Sequence, residues 1–157
     1  MPKMTPGYAK NTITRSLRTI LDPEPKEQEI SQLWEFFKNK CAYCGCSLDR
    51  KSRQGHVDHL IPATEDDTTN HISNRVLSCR SCNGDEKGGA EWEKFLRTKT
   101  KNGKVFKARR GRIKTWVSSK IKSRAAPIDI NLLKRETERA IKAFYNAVVR
   151  LRKSKDS

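Results

Sequence analysis

The chain has 157 residues, of which 33% are charged and 34% hydrophobic, so its core is modest and a second source of stability, metal or disulfides, is expected. No stretch approaches the roughly 18 consecutive apolar residues of a membrane span, and the N-terminus has no apolar run behind Lys3, so neither a membrane partner nor a signal peptide is expected. The five cysteines are then expected as thiols in a reducing, cytoplasmic setting, where paired cysteines bind metal more often than they form disulfides.

The net charge of +16 is unevenly placed. Between Lys94 and Arg124 there are 13 Lys or Arg and no Asp or Glu, while the rest of the chain is nearly balanced. Such a stripe suits a long polyanion, because each neutralised phosphate releases condensed counterions.

Residues 1–25 read as an arm, with Pro2, Pro6, Gly7, Pro23 and Pro25 and little apolar periodicity. Asp22-Pro23-Glu24-Pro25 is a helix-start signal. Ile30, Leu33, Trp34 and Phe37 then fall at i, i+3, i+4 and i+7, which predicts an amphipathic helix over about 26–38. Cys41-Ala42-Tyr43-Cys44-Gly45 is a tight turn. Gly55 to Pro62 reads as a strand stopped by proline, followed by a loop rich in Thr, Asp and Asn from Ala63 to about Ser73. Asn74 to Leu77 is a second short strand, and Ser78 is placed to cap a helix from Cys79 to about Gly88-Gly89. Ala90 to Thr98 looks helical. Asn102-Gly103 suggests a hairpin turn with Val105, Phe106, Ile113 and Trp116 on its strands. A last helix, about 131–153, buries Leu133, Thr137, Ile141, Phe144, Val148 and Leu151. The expected organisation is an arm (1–25), a core (26–98) and a basic segment ending in a helix (99–157).

Cys41-x2-Cys44 and Cys79-x2-Cys82 are two pairs separated by 34 residues. Each pair chelates one ion from a single turn, and together they complete a tetrahedral four-thiolate zinc site. Four protein thiolates leave no open position, so this zinc is structural. Cys46 is left over; it could replace Cys44 as a ligand, but a free thiol is expected.

The insert between the pairs, with the second pair, holds Asp58-His59 in an apolar strand, Asn74 at the start of the next strand, and Asn83 just after Cys82. In these residues, with Gly55, Ile61, Pro62, Leu77, Lys87 and Gly88, the chain resembles the HNH, or ββα-metal, endonucleases. The likeness is to the subgroup whose motif is flanked by two Cys-x2-Cys pairs, and it covers about residues 40–89. It implies an α+β fold, a small ββα-metal core on a four-cysteine zinc knuckle flanked by helices. It implies that His59 is the general base, that Asp58 and Asn83 hold one catalytic divalent ion (Mg²⁺ or Mn²⁺), and that Asn74 ties down the loop and orients His59.

Independently of the family, phosphodiester hydrolysis needs a water deprotonated near neutral pH, the range in which imidazole titrates. It also needs a cation on the scissile phosphate. A carboxylate and an amide oxygen suit magnesium, whereas thiolates suit zinc. One difficulty is geometric: neighbours on a regular strand point to opposite faces, so Asp58 and His59 diverge unless the strand twists or ends there. His56 and His71 are expected to be structural or exposed. The expected function is a double-stranded DNA endonuclease, restriction-type and sequence-specific, with a homodimer possible. A nicking or phage DNA-processing nuclease, RNA cleavage, or a zinc-dependent nucleic-acid-binding module without activity are the other readings. Lys87, Lys107, Arg109, Arg110, Arg112 and Lys114 are the expected nucleic-acid contacts.

Overall fold

The structure, a computed structural model, describes residues 5–62, 69–121 and 129–155. The chain divides into two compact units, one built from its two ends (residues 1–23 and 126–157) and one from residues 24–125. That division differs from the arm, core and basic segment expected from sequence.

The first unit pairs α1 (Pro6–Leu21) with α5 (Ile130–Lys155). The expected arm is a helix because its proline sits where a helix tolerates it. Pro6 occupies the first turn, whose N–H groups need no partner within the helix, and Thr5 Oγ1 accepts from the Tyr8 amide at 3.2 Å. Ile13 and Leu17 of α1 are half-buried, as are Leu133, Ile141, Phe144 and Val148 of α5, with Thr137 buried among them. Leu151, expected in this seam, is 67% exposed.

The second unit holds the core. α2 (Glu27–Phe36) directs Leu33 and Trp34 inward as its periodicity predicts, and Phe37 follows them at its C-terminal end. Two left-handed residues, Lys38 and Asn39, then turn the chain sharply into the first cysteine pair. β1 (Gly55–His59) and β2 (Arg75–Cys79) form one antiparallel ladder, with Gly55 opposite Cys79, Asp58 opposite Val76 and His59 opposite Arg75. A side chain at position 55 is not tolerated: an added Cβ would lie 2.3 Å from the Trp34 ring.

A short 3-10 turn (Ile72–Asn74) leads into β2, and a π-helical turn (Cys82–Glu86) follows it. The strand continues through Cys79, so Ser78 is a buried strand residue, not a helix cap. Residues 63–68 of the Thr- and Asp-rich loop, and Lys122 and Arg124 of the basic stripe, lie outside the described residues.

α3 (Trp92–Lys99) and α4 (Gly103–Ile121) complete the unit. The hairpin expected at Asn102-Gly103 is a helix start: Asn102 Oδ1 accepts from the Lys104 amide at 2.8 Å. Asn is as good a helix cap as a turn former. The apolar spacing decides between them, because Phe106, Ile113 and Trp116 recur on one helical face and all three are buried. Trp116 Nε1 also donates to Ile72 O at 3.2 Å, which ties α4 to the turn before β2. No helix among the described residues is long and apolar enough to cross a membrane.

Candidate active site and metal centre

The metal centre is assembled from a turn and a strand end. Gly45 takes a left-handed conformation, its amide closes onto Cys41 O at 3.0 Å, and Ala42 donates to Leu77 O at 2.8 Å. The first pair is thereby docked on β2, whose last residue is Cys79. The sulfurs of Cys41, Cys44, Cys79 and Cys82 lie within 4.8 Å of one another, with Cys44 and Cys79 3.8 Å apart. Four sulfurs bound tetrahedrally at about 2.3 Å from zinc sit roughly 3.8 Å from each other, so the cluster has the dimensions of a structural zinc site.

Crowding divides the protons unequally among the thiols, and burial pushes Cys44 up. The hydrogen bond from the Cys82 thiol pulls Cys41 down to about 4, and the Cys82 proton is held harder in return. A cluster that already favours a thiolate is prepared for a soft cation. Cys46, exposed, stands outside the four.

The side chains of Asp58 and His59, at the end of β1, have separate sets of partners. Asp58 is 7% exposed. Its Oδ2 accepts from the Tyr43 hydroxyl at 3.0 Å and lies 3.1 Å from Lys87 Nζ. Burial raises its pKa, and the Lys87 charge opposes that rise. Both contacts fall on Oδ2, and Oδ1 makes no hydrogen bond among the described residues. Lys87 also donates to His59 O at 2.6 Å, so one ammonium clamps two successive residues of the strand. This corrects the expectation that Lys87 meets a phosphate: its side chain is 2% exposed, and its charge is used inside the protein.

His59 is half-buried between Arg75 and Asn70. Arg75 Nη1 lies 3.0 Å from His59 Nδ1, and Asn70 Oδ1 lies 3.2 Å from Nε2. Guanidinium groups only donate, so Nδ1 is the acceptor and the proton sits on Nε2, directed at Asn70. Burial first, then the Arg75 charge, lower the imidazole pKa. His59 is therefore neutral near pH 7. Arg75 is itself held by Asn70 O at 3.2 Å, Asn70 Oδ1 at 2.9 Å and Glu24 at 2.6 Å.

Asn74 fastens the chain that leaves His59. Its Oδ1 accepts from the Ile61 amide at 2.8 Å, its Nδ2 donates to Ile61 O at 3.2 Å and Thr69 O at 2.9 Å, and its carbonyl accepts from Leu60 at 2.8 Å. Asn83 lies on the π-helical turn, half-buried, and its amide makes no hydrogen bond among the described residues. His71 caps the 3-10 turn through Ser73.

The basic residues expected at nucleic acid sort into two groups. Arg109 donates to Tyr43 O at 2.6 Å and lies against Gly45. Arg110 and Lys114 pair with Glu93, at 2.6 and 3.4 Å. Lys107 and Arg112 are exposed and form no ion pair among the described residues. Sequence reasoning missed Arg75, Asn70, Tyr43 and Glu24. Only the position of Arg75, opposite His59 once the strands are registered, signalled its role.

Residues 41–88 match the family model described as HNH endonuclease. The Septu protein PtuB of Bacillus thuringiensis is 40% identical over 53 residues, a match that covers 33% of this chain and 21% of that protein. The chain thus corresponds to about a fifth of that relative's length. The family-model match spans both cysteine pairs, both strands and the π-helical turn. Residues 41–88 thus match an HNH endonuclease domain and carry four cysteines clustered for metal binding.

Proposed function

We propose that the protein is a DNA endonuclease that hydrolyses phosphodiester bonds with His59 as general base and one divalent ion, Mg²⁺ or Mn²⁺, held by Asp58 and Asn83. The observation that carries this is the state of His59, a neutral imidazole with its tautomer set by Arg75 and Asn70, next in sequence to a carboxylate with an open oxygen. The donor set fits a hard cation: Asp58 Oδ1 and the Asn83 amide oxygen have no partners among the described residues, and Asp58 already touches Lys87, just beyond the turn that carries Asn83. The bound ion supplies positive charge where the phosphate gains negative charge.

His59 Nδ1 takes the proton of a water, after water replaces Arg75 Nη1 at that nitrogen. The hydroxide attacks phosphorus, the P–O3′ bond breaks and the 3′ oxygen takes up a proton from solvent, leaving a 5′-phosphate. Asn74 keeps Leu60 and Ile61 fixed behind the imidazole, so its direction does not drift. Zinc in the cysteine knuckle holds the scaffold and takes no part in the chemistry.

Double-stranded DNA and a restriction-type, sequence-specific role suit the material beyond residues 41–88, most of the chain, which is available for base contacts. One such site cuts one strand, so a double-strand cut requires two copies. The likeness to Septu protein PtuB is confined to 53 residues, so it supports the nuclease chemistry of that segment and no wider role.

Supercoiled plasmid incubated with zinc-loaded protein and Mg²⁺ or Mn²⁺ is the test. Nicked or linear product is expected from the parent and none from His59→Ala, with DNA affinity retained. Turnover by His59→Ala removes the proposed base, and no cleavage by the parent under any metal leaves a zinc-dependent binding module. Sequencing the ends separates a recurrent site from scattered cuts.

A further inference from the structure

A cavity of about 150 Å³ opens where α4 meets the cysteine knuckle, lined by Phe37, Lys40, Cys41, Ala42, Gly45, Arg109 and Arg112. Three of those seven residues are cationic and none is acidic. Elsewhere on α4, Arg110 and Lys114 share Glu93. Here Lys40 and Arg112 are exposed and have no ion pair among the described residues. Like charges gathered around one concavity repel unless an anion joins them, and a concave site strengthens their field.

The arrangement is built, because two of its members are fixed by backbone. Arg109 is anchored: Nη1 is bound to Tyr43 O at 2.6 Å, and its guanidinium lies where a Cβ at Gly45 would be, 2.2 Å from Nη2. Lys40 follows the two left-handed residues Lys38 and Asn39, and its backbone pairs with Ser47. Non-glycine residues adopt that conformation at a cost.

We infer that this cavity holds a backbone phosphate of the nucleic acid, gripped by Lys40 and Arg112 against the fixed guanidinium of Arg109. The inference rests on the nuclease reading above and adds a contact on the zinc knuckle, apart from Asp58 and His59. It assigns the knuckle a second task, that of seating the duplex.

Affinity for a short DNA duplex is measured by fluorescence anisotropy at several salt concentrations, without added Mg²⁺, for the zinc-loaded parent and Lys40→Gln/Arg112→Gln. Matching zinc content and melting temperature establish that the variant is folded. The magnitude of the slope of log affinity against log salt is expected to fall by about 0.9 for the lost phosphate contact. In parallel, inorganic phosphate is titrated into both proteins while the amides of Ala42, Cys44 and Gly45 and the Arg109 Nε–H are followed by NMR. Shifts in the parent that vanish in the variant support an anion site. An unchanged salt slope overturns the DNA assignment, and if the phosphate shifts persist only in the parent, the cavity takes a free phosphate instead. A parent that cuts plasmid while the variant's slope is unchanged sinks this inference alone. A parent that neither cuts nor binds DNA sinks the nuclease reading, and absence of phosphate shifts at those four groups then sinks the site as well.

Discussion

Lys87→Met removes an ammonium that compensates Asp58 inside the protein while keeping most of the side-chain stem. The two side chains are 2% and 9% exposed and 3.1 Å apart, so solvent screens the pair little. Breaking a buried pair from one side costs about 3–5 kcal/mol, because the surviving charge stays buried without its counterion. The hydrogen bond to His59 O is lost in the same step. For a unit of about 100 residues this corresponds to a fall in melting temperature of roughly 12–40 °C. Urea unfolding of the zinc-loaded protein, followed by the fluorescence of the buried Trp34 and Trp116, measures it. Adding Asp58→Asn to Lys87→Met removes the stranded charge and should restore part of the loss, giving a coupling energy from the four proteins. Divalent cation should stabilise Lys87→Met more than the parent, since metal on Asp58 replaces the missing charge. A single variant that loses less than about 1 kcal/mol, or a double variant as unstable as the sum of the singles, refutes the argument.

Three further outcomes are expected. Cys79→Ser should release zinc and unfold residues 24–125, since structural zinc contributes on the order of 10 kcal/mol; metal analysis and circular dichroism check it, and a native melting curve without zinc contradicts the four-sulfur site. Asn74→Ala removes the side-chain bonds to the backbone of exposed Ile61 and buried Thr69 and should cost about 1–3 kcal/mol, with faster hydrogen exchange at the Ile61 amide; unchanged exchange shows that the clamp is idle. The working form of His59 is the neutral one, and burial with Arg75 lowers its pKa from the usual 6.5. The acid limb of the cleavage rate should therefore lie below pH 6.5, and Arg75→Gln should move it upward. A limb that stays in place in Arg75→Gln excludes Arg75 from setting the base.

The parts of the site legible in sequence are those whose chemistry needs a fixed spacing. Two Cys-x2-Cys pairs, Asp58-His59 and an Asn after the last cysteine are short-range patterns, and strand alternation accords with the separate side-chain partners of Asp58 and His59. Arg75 was hidden because its partners come from three separate places: Asn70 close by, His59 across the ladder and Glu24, 51 residues earlier. Lys87 looked like a surface lysine because nothing local marks a residue as buried when its counterion arrives from another strand. At Asn102 and Pro6 the local signals were ambiguous in kind, since the same residues start helices and make turns. Apolar spacing at Phe106, Ile113 and Trp116 resolved the first case, and the Thr5 cap resolves the second.

In the function proposed above, Cys82 and Asn83 are consecutive residues that would serve two different kinds of ion. A soft-metal poison that displaces zinc, or an oxidant that joins two of the sulfurs, would shift the peptide that carries the hard-metal ligand. Such damage would also loosen α4, which leans on the first cysteine turn through the bond from Arg109 to Tyr43 O. Loss of one zinc atom would therefore disarm cutting and grip together, leaving no half-active protein to bind DNA unproductively.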